Sequence, residues 1–239
     1  MSTTSSTVSA VRVLGAGLAA TTVAVTTLAI ASSFARAVST EDFTASGVRQ
    51  LQVDVDAGAV DVERAEGSTV EVSVRAEGTW RTPTTGRSQQ GGTLVLDGRC
   101  GPQVGFSRCE VRYRIAVPDG VDLELRAGAG RLAVDDVSGD VSAHTSAGEV
   151  ALTDLRSRVV DARAEAGRVQ VSFEEPPRQV RAAAATGAID VTLPLDGAPY
   201  AVQARADVGG ATVDVPTDPT SARTVSAVTS VGAVTVRGR

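Results

Sequence analysis

The chain has 239 residues, of which 42% are hydrophobic but only 3% are aromatic, and its net charge is −5 at pH 7. This composition predicts a folded protein whose core is made of small branched side chains, which is typical of β-strands. All 23 basic residues are arginine, and they are outnumbered by 28 acidic residues, so nucleic-acid binding is not expected.

The first predicted element is an apolar segment near the N-terminus. Residues 1–12 form a short tail rich in Ser and Thr, and residues 13–34 carry no charge. As a helix, the segment would be about 33 Å long, which is enough to cross a bilayer. We therefore predict one transmembrane helix. A cleaved secretory signal is the alternative, because Ala35-Arg36-Ala37 fits a small-x-small cleavage pattern.

Both alternatives place the rest of the chain outside the cytoplasm, since Arg12 lies on the short N-terminal side of the segment. The predicted location is the cell membrane, with a single pass, or the exterior if the signal is cleaved. The tail of residues 1–12 leaves little room for a cytoplasmic signalling part. A linker is predicted at residues 35–47, followed by one extracytoplasmic β domain at residues 48–239.

Hydrophobic and polar residues alternate through the first part of this domain, which predicts strands with one buried face. These runs lie at residues 51–55, 70–74, 111–117 and 121–125. A polar loop is predicted at residues 81–92, and Pro118-Asp119-Gly120 is expected to form a tight turn. No helical periodicity follows the apolar segment.

Cys100 and Cys109 are the two cysteines of the chain, and they flank a turn-rich stretch. We predict a disulfide at the base of a hairpin, which agrees with an exported location; two reduced thiols are the alternative. With no His or third Cys nearby, the pair does not form a metal site.

A repeated sequence motif dominates the second part of the domain. It consists of small residues, a glycine and then two aliphatic residues at alternate positions, as in residues 145–152. The glycines of the copies are Gly58, Gly130, Gly148, Gly167, Gly187, Gly210 and Gly232. From Gly130 onward they are separated by 18, 19, 20, 23 and 22 residues. A period of about 20 residues predicts a solenoid of stacked coils.

In such a solenoid each glycine would form a bend, because it tolerates a positive φ and lets the backbone of the next coil approach closely. Its small neighbours would then stack in register; these are Ala129, Ala147, Ala166, Thr186 and Val231. The alternative is a meander of antiparallel hairpins in a sandwich, with the same glycines in two-residue turns.

Few residues are candidates for chemistry. His144 is the single histidine and is expected to face away from the aliphatic side of its strand, so no Ser-His-Asp grouping can be assembled. Asp135, Asp136 and Asp140 lie close together but lack the spacing of a calcium loop. Asp190 and Asp214 could form an outward ladder of carboxylates if coils stack. We predict no catalytic, metal or cofactor residues.

The chain resembles a family of exported bacterial proteins. The resemblance rests on the N-terminal apolar segment, on residues 135–141 and on the recurring motifs Thr-Ser-Ala-Gly-Glu-Val, Ala-Glu-Ala-Gly-Arg-Val and Ala-Thr-Gly-Ala-Ile-Asp-Val. The family is known as putative adhesins of unknown function and as β-strand-repeat proteins. The resemblance covers about residues 45–239. It implies an all-β, right-handed β-solenoid or β-helix-like domain at the cell surface and carries over no catalytic residues.

The expected function is a non-enzymatic binding, adhesion or structural module of the cell envelope. Its expected partners are the membrane, through the N-terminal helix, and a surface polysaccharide or protein. Self-association through the edge of the C-terminal coil is also expected, because residues 237–239 provide no cap. The alternatives are a carbohydrate-active β-helix enzyme with a carboxylate-lined face and the ectodomain of an envelope-sensing membrane protein.

Overall fold

The computed structural model describes residues 36–79, 82–101 and 108–239. These residues form 13 β-strands and no helix, which confirms the all-β class. The strands are β1 (Arg36–Ser46), β2 (Gln50–Arg64), β3 (Thr69–Thr79), β4 (Thr84–Gln90), β5 (Thr93–Arg99), β6 (Cys109–Val117), β7 (Asp122–Asp135), β8 (Val141–Leu155), β9 (Val159–Phe173), β10 (Gln179–Thr186), β11 (Ile189–Leu193), β12 (Ala201–Asp214) and β13 (Thr224–Gly238). The predicted tail and membrane segment, residues 1–12 and 13–34, lie outside the described residues.

The repeats form a ladder of parallel strands in register. β2 pairs with β7, β7 with β8, and β8 with β9. The next place in the ladder is shared by β10 and β11, which both pair with β9 and with β13, and β12 pairs with β13. All of these pairings are parallel, so the predicted alternative of antiparallel hairpins is wrong for the repeats.

Each long strand has two arms that meet at a glycine, and the buried side chains change parity there. In β8, Ala143 and Thr145 are buried in the first arm, whereas Val150 and Leu152 are buried in the second arm. A strand that kept its period of two would bury residues of one parity only. The other repeat strands show the same change, so both arms of every repeat contribute to one continuous core.

The parity changes where glycine adopts a φ between 130° and 150°, a range that other residues rarely occupy. The glycines also stack in one column, in the order Gly58, Gly130, Gly148, Gly167, Gly187, Gly232, Gly209. A Cβ atom on any of them would overlap a backbone carbonyl oxygen of the adjacent strand: that of Val111 for Gly58, and that of a neighbouring glycine for the others. The predicted small neighbours pair in register beside this column, from Ala129 through Ala147, Ala166 and Thr186 to Val231.

One predicted bend glycine is wrong. Gly209, with a φ of 130°, stacks on Gly232, whereas Gly210 pairs with Ala233 and has open space around its Cα. The sequence Val208-Gly209-Gly210 offers two glycines, and the parity of the following aliphatic residues selects the first. The bend in this copy is therefore at Gly209 and not at Gly210.

The N-terminal end of the ladder is completed by strands that are not repeats. The first arm of β2 pairs with β5, which is followed by antiparallel β4; the second arm pairs with β6, which is followed by antiparallel β3 and β1. The predicted linker at residues 35–47 therefore contains a strand, β1, and the predicted polar loop at residues 81–92 contains β4. Both strands are edge strands that expose most of their side chains, so their sequences show little hydrophobic alternation.

The opposite end of the ladder does not follow chain order. β13 lies between the β10 and β11 pair on one side and β12 on the other. The free edge at this end therefore belongs to β12, and the prediction that the C-terminal strand forms it is wrong. β13 is held on both sides because its aliphatic residues Val234 and Val236 continue the buried rows of β11.

Candidate binding groove

A groove of about 350 Å³ lies on the outer face of β6 and of the second arms of β2, β7 and β8. It is lined by Asp61, Val62, Glu63, Arg114, Ile115, Arg131, Ala133, Val134, Asp135, Ala151 and Thr153. Outward side chains alternate with buried ones along each arm, so strand register alone decides which of them are neighbours.

One row of outward positions runs along the groove: its two alanines form the floor, and its two charged residues belong to the rim. In this row Arg114 of β6 is opposite Asp61 of β2, which is followed by Ala133 of β7 and Ala151 of β8. The two alanines leave a depression because the side chains around them are longer. Ala151 is only 6% exposed although it points away from the core.

Charged and polar side chains form the rim. On one side of the floor the Arg131 guanidinium lies 3.8 Å from the carboxylate of Glu149. On the other side the Thr153 hydroxyl donates a hydrogen bond of 2.6 Å to the Asp135 carboxylate. Arg114 and Arg131 thus supply donors, and Asp61, Glu63 and Asp135 supply acceptors, around an apolar floor. Such a rim can exchange hydrogen bonds with hydroxyl or amide groups of a ligand.

The groove offers no metal site that the structure can identify. Within residues 36–79, 82–101 and 108–239, no three His, Cys, Asp or Glu side chains converge as metal ligands would. The predicted acidic cluster is divided among structural roles. Asp135 accepts from Thr153, Asp136 pairs with arginines, and Asp140 accepts a hydrogen bond of 3.2 Å from the amide of Val159.

Asp136 belongs to a network of four charged side chains beside the groove. The Arg156 guanidinium lies 3.0 Å from Asp136 and 3.6 Å from Asp119, and Arg64 lies 3.5 Å and 3.3 Å from the same two carboxylates. Asp136 also has a φ of 54°, which aspartate tolerates better than most residues. The network connects the ends of β2 and β7 with the turn that precedes β9.

The other predicted candidates lie apart from the groove. His144 faces outward between Arg126 and Arg163 of the neighbouring strands, and its Nε2 is 3.8 Å from Glu165. Asp190 is opposite Thr235, whereas Asp214 is opposite Arg237, so the two aspartates do not form a ladder. The predicted carboxylate ladder is wrong because β13 lies between β11 and β12.

The two cysteines are joined by a disulfide with a Cα–Cα distance of 5.8 Å. The bridge connects the end of β5 to the start of β6, which pair with different arms of β2. The Cys100 amide donates to Asp56 at 2.8 Å, and Arg99 contacts Asp54 and Asp56 at 2.8 and 3.0 Å. The hydrogen bond to Asp54, and to a smaller extent the one to Asp56, raises the pKa of Arg99. The disulfide and the ion pairs therefore fix β5 and β6 around the bend of β2.

Sequence reasoning did not find the groove. Its lining joins Asp61, Arg114 and Ala133, which are far apart in the chain and follow no motif. The only usable signal was an alanine at an outward position in two successive repeats, Ala133 and Ala151.

No protein-family model matches the chain, and no curated protein matches it. Among solved structures, the chain is similar to a putative cell adhesion protein from Clostridium sporogenes ATCC 15579, with a TM-score of 0.50 and 12% identity over 85% of this chain and 100% of that chain. Putative adhesins from Bacteroides fragilis NCTC 9343 and Parabacteroides distasonis ATCC 8503 match with TM-scores of 0.33 and 0.29, at 13% and 10% identity, over 85% of this chain and 97% of each of theirs. At 12% identity the likeness to the Clostridium sporogenes protein concerns the fold alone. The described residues contain no helix with the length and apolar character needed to span a bilayer.

Proposed function

We propose that the protein is a non-enzymatic binding or adhesion module of the bacterial cell envelope, and that the groove on the second arms is its contact surface. The observation that carries the proposal is the ring of donors and acceptors around the alanine floor of Ala133 and Ala151. The description of the Clostridium sporogenes structure as a putative cell adhesion protein agrees with this role.

The proposed ligand is a surface polysaccharide. The outer face of a sheet is accessible to a long polymer, and the rim can pair with many hydroxyl groups through Arg114, Arg131 and the three carboxylates. The groove contains no aromatic side chain on which a sugar ring could stack. Affinity for one site is therefore expected to be modest, with polymer length adding avidity.

We also propose that the repeats are coils of a right-handed solenoid. Parallel neighbours usually need a crossover of a dozen or more residues. Here β8 ends at Leu155 and its parallel neighbour β9 begins at Val159. A straight strand of 15 residues would be about 50 Å long, far beyond the reach of three connecting residues. The bend at the glycine, which brings the strand ends together around one core, supports the coil interpretation.

The proposed location is the outer side of the cell membrane, with residues 13–34 as the anchor. β1 follows this segment directly and lies at one end of the ladder, whereas β12 lies at the other end. Nine strand spacings separate them, or about 43 Å. The anchored domain would therefore present β12 farthest from the segment, with the groove on its side.

Polysaccharide binding can be tested with the full chain in a mild detergent. The test variant is Ala133→Arg, which fills the floor, and the matched control is Ala183→Arg, since Ala183 is also a half-buried outward alanine but lies in β10. Binding to an array of bacterial surface polysaccharides, measured by biolayer interferometry, should fall at least about tenfold for the first variant and stay within about twofold for the control. Equal losses in both variants, or no binding by the unmodified chain, would contradict the proposal.

The enzyme alternative has one observation in its favour: Asp61, Glu63 and Asp135 line the same groove. Paired carboxylates carry out glycoside hydrolysis in many enzymes. Polysaccharides that bind should therefore be incubated with the protein and assayed for new reducing ends. We expect no new reducing ends. If reducing ends form, and if both Asp61→Asn and Asp135→Asn abolish their formation, the protein is an enzyme and not a binding module.

A further inference from the structure

The edge strand β12 has a partner on one side only. All 13 of its paired residues, from Ala201 to Asp214, lie opposite β13. On the other side, no strand among the described residues pairs with it. Its exposure is high for a strand of a folded domain, with Val208 at 64% and Val213 at 41%.

The core is open at this strand. Ala204 and Ala206 in the first arm, and Ala211 and Val213 in the second arm, continue rows that are fully buried one strand earlier; for example, Val213 lies opposite Val236, which is 0% exposed. These side chains therefore face the interior of the ladder but have no coil above them. A stable domain with an open core end and an unpaired edge has a strong tendency to associate.

The opposite end of the ladder is covered by side chains. There Arg87 of β4 lies 4.5 Å over the ring of Phe43 in β1 and 3.1 Å from Glu41, and Gln89 donates to the carbonyl of Ser46 at 2.8 Å. These contacts join the two edges β1 and β4. The two ends thus differ in shape and polarity, which disfavours head-to-tail stacking of copies.

We propose that the β12 edge binds the β12 edge of a second copy of this chain, antiparallel and around a two-fold axis. In an antiparallel pair the first arm of each copy lies against the second arm of its partner. Arg205, an outward residue of the first arm, contacts Asp207 of its own strand at 2.7 Å and can then also lie opposite the partner's Asp214 in the second arm. Opposite charges at facing positions stabilise a strand pair.

The same register also joins the two cores. With Arg205 opposite the partner's Asp214, Ala204 lies opposite the partner's Val215, and Ala206 lies opposite the partner's Val213. Inward residues therefore meet inward residues, because the parity change at the bend makes them even in one arm and odd in the other. A shift by one residue would place the apolar side chains opposite outward polar ones.

The bends coincide as well. This register places Gly209 opposite the partner's Gly210, so no Cβ atom obstructs the approach of the two corners. The opposite charges, the facing inward residues and the facing glycines therefore favour the same register. They are independent arguments because they depend on different residues. The result is a closed dimer in which the β12 edge of each copy is paired with that of the other.

The dimer can be tested by sedimentation equilibrium of the full chain in density-matched detergent, from about 1 µM to about 1 mM. A reversible dimer is expected. The variants Arg205→Asp and Asp214→Arg should each raise the dissociation constant at least about tenfold. The doubly exchanged chain, with both substitutions, should return to within about threefold of the unmodified value.

The swap serves as its own folding control, because a fold damaged by two substitutions would not regain affinity. Thr212→Arg, another outward position of β12, is a second control: in this register it places the added charge opposite the partner's Asp207, so it should not weaken the dimer. A monomer at every concentration would overturn the proposal. So would a dimer that is insensitive to both single reversals, or one that the exchange fails to restore.

Discussion

Gly167 lies so close to Gly148 of the neighbouring strand that a Cβ atom on Gly167 would overlap the carbonyl oxygen of Gly148. Gly148 has the same relation to Gly130. Each bend glycine in the middle of the column is thus constrained twice, since it needs a positive φ and its neighbour's backbone occupies the space of a side chain. The column is where the fold has the least tolerance for substitution.

Gly148→Ala should therefore destabilise the protein by about 3 kcal/mol or more, because backbone strain and the clash with Gly130 add together. Chemical denaturation of the purified chain, followed by circular dichroism, measures the loss. A decrease below about 1 kcal/mol would contradict the role of the column.

Gly209 and Gly210 provide a matched pair within one strand. Gly209→Ala introduces a Cβ that meets the carbonyl oxygen of Gly232, whereas Gly210→Ala introduces one into open space. At a protein concentration where the chain is monomeric, we expect the first substitution to lower the midpoint of thermal unfolding clearly and the second to change it by no more than about 1–2 °C. A larger decrease of the midpoint for Gly210→Ala than for Gly209→Ala would show that the bend is at Gly210.

Removal of the disulfide should cost about 3 kcal/mol in the chain-entropy description, for a bridge between residues nine apart in sequence. The variant Cys100→Ser/Cys109→Ser avoids a free thiol. Its unfolding free energy should match that of the reduced wild-type chain, and free-thiol titration should find no thiol in the native protein. Two reactive thiols in the native protein would show that the bridge does not form in solution.

The sequence predicted the strands, the repeat and six of the seven bend glycines, because alternation and glycine spacing are local signals. It did not predict β1, β4 and β5. The edge strands β1 and β4 bury too few residues to show a pattern, and β5 buries only the aliphatic pair Leu94 and Leu96. The groove and the place of β13 depend on register between distant strands. The carboxylate ladder of Asp190 and Asp214 failed for that reason: neighbours in sequence order are not always neighbours in the sheet.

The two tyrosines should ionise only when the protein unfolds. Burial raises the pKa of both Tyr113 and Tyr200 above the ordinary value of 10.0, and their hydroxyls donate to the carbonyls of Asp97 and Pro194 at 2.8 and 2.9 Å. A raised pKa contributes stability that is present below pH 10 and is lost as the pH rises above it.

Phenolate absorbance at alkaline pH should thus rise together with the loss of circular dichroism. Tyr113→Phe should reduce the absorbance change by half. An absorbance step near pH 10 in a protein that is still folded would contradict the burial argument.

Acid should weaken the turn that precedes β12. The hydrogen bond from Arg223 lowers the pKa of Asp196 to about 2, and the two side chains are 2.8 Å apart. A lowered pKa contributes stability above the unfolded value near 4, and this stability is lost as the pH falls toward 2. Asp196→Asn should remove part of the pH dependence of the unfolding midpoint between pH 4 and 2. Because the pair is exposed, the difference should shrink in high salt.

The position of β13 between β11 and β12 has a consequence for the order in which the ladder can be assembled. During synthesis or export, β12 emerges before β13, but its native neighbour is β13. Until β13 arrives, the β10 and β11 edge and β12 are both unpaired and similar enough to join in a wrong order. If β12 pairs with the β10 and β11 edge first, β13 has to insert between them rather than add to a free edge. We therefore expect a chain stopped before residue 224 to leave both of these edges without their native neighbour.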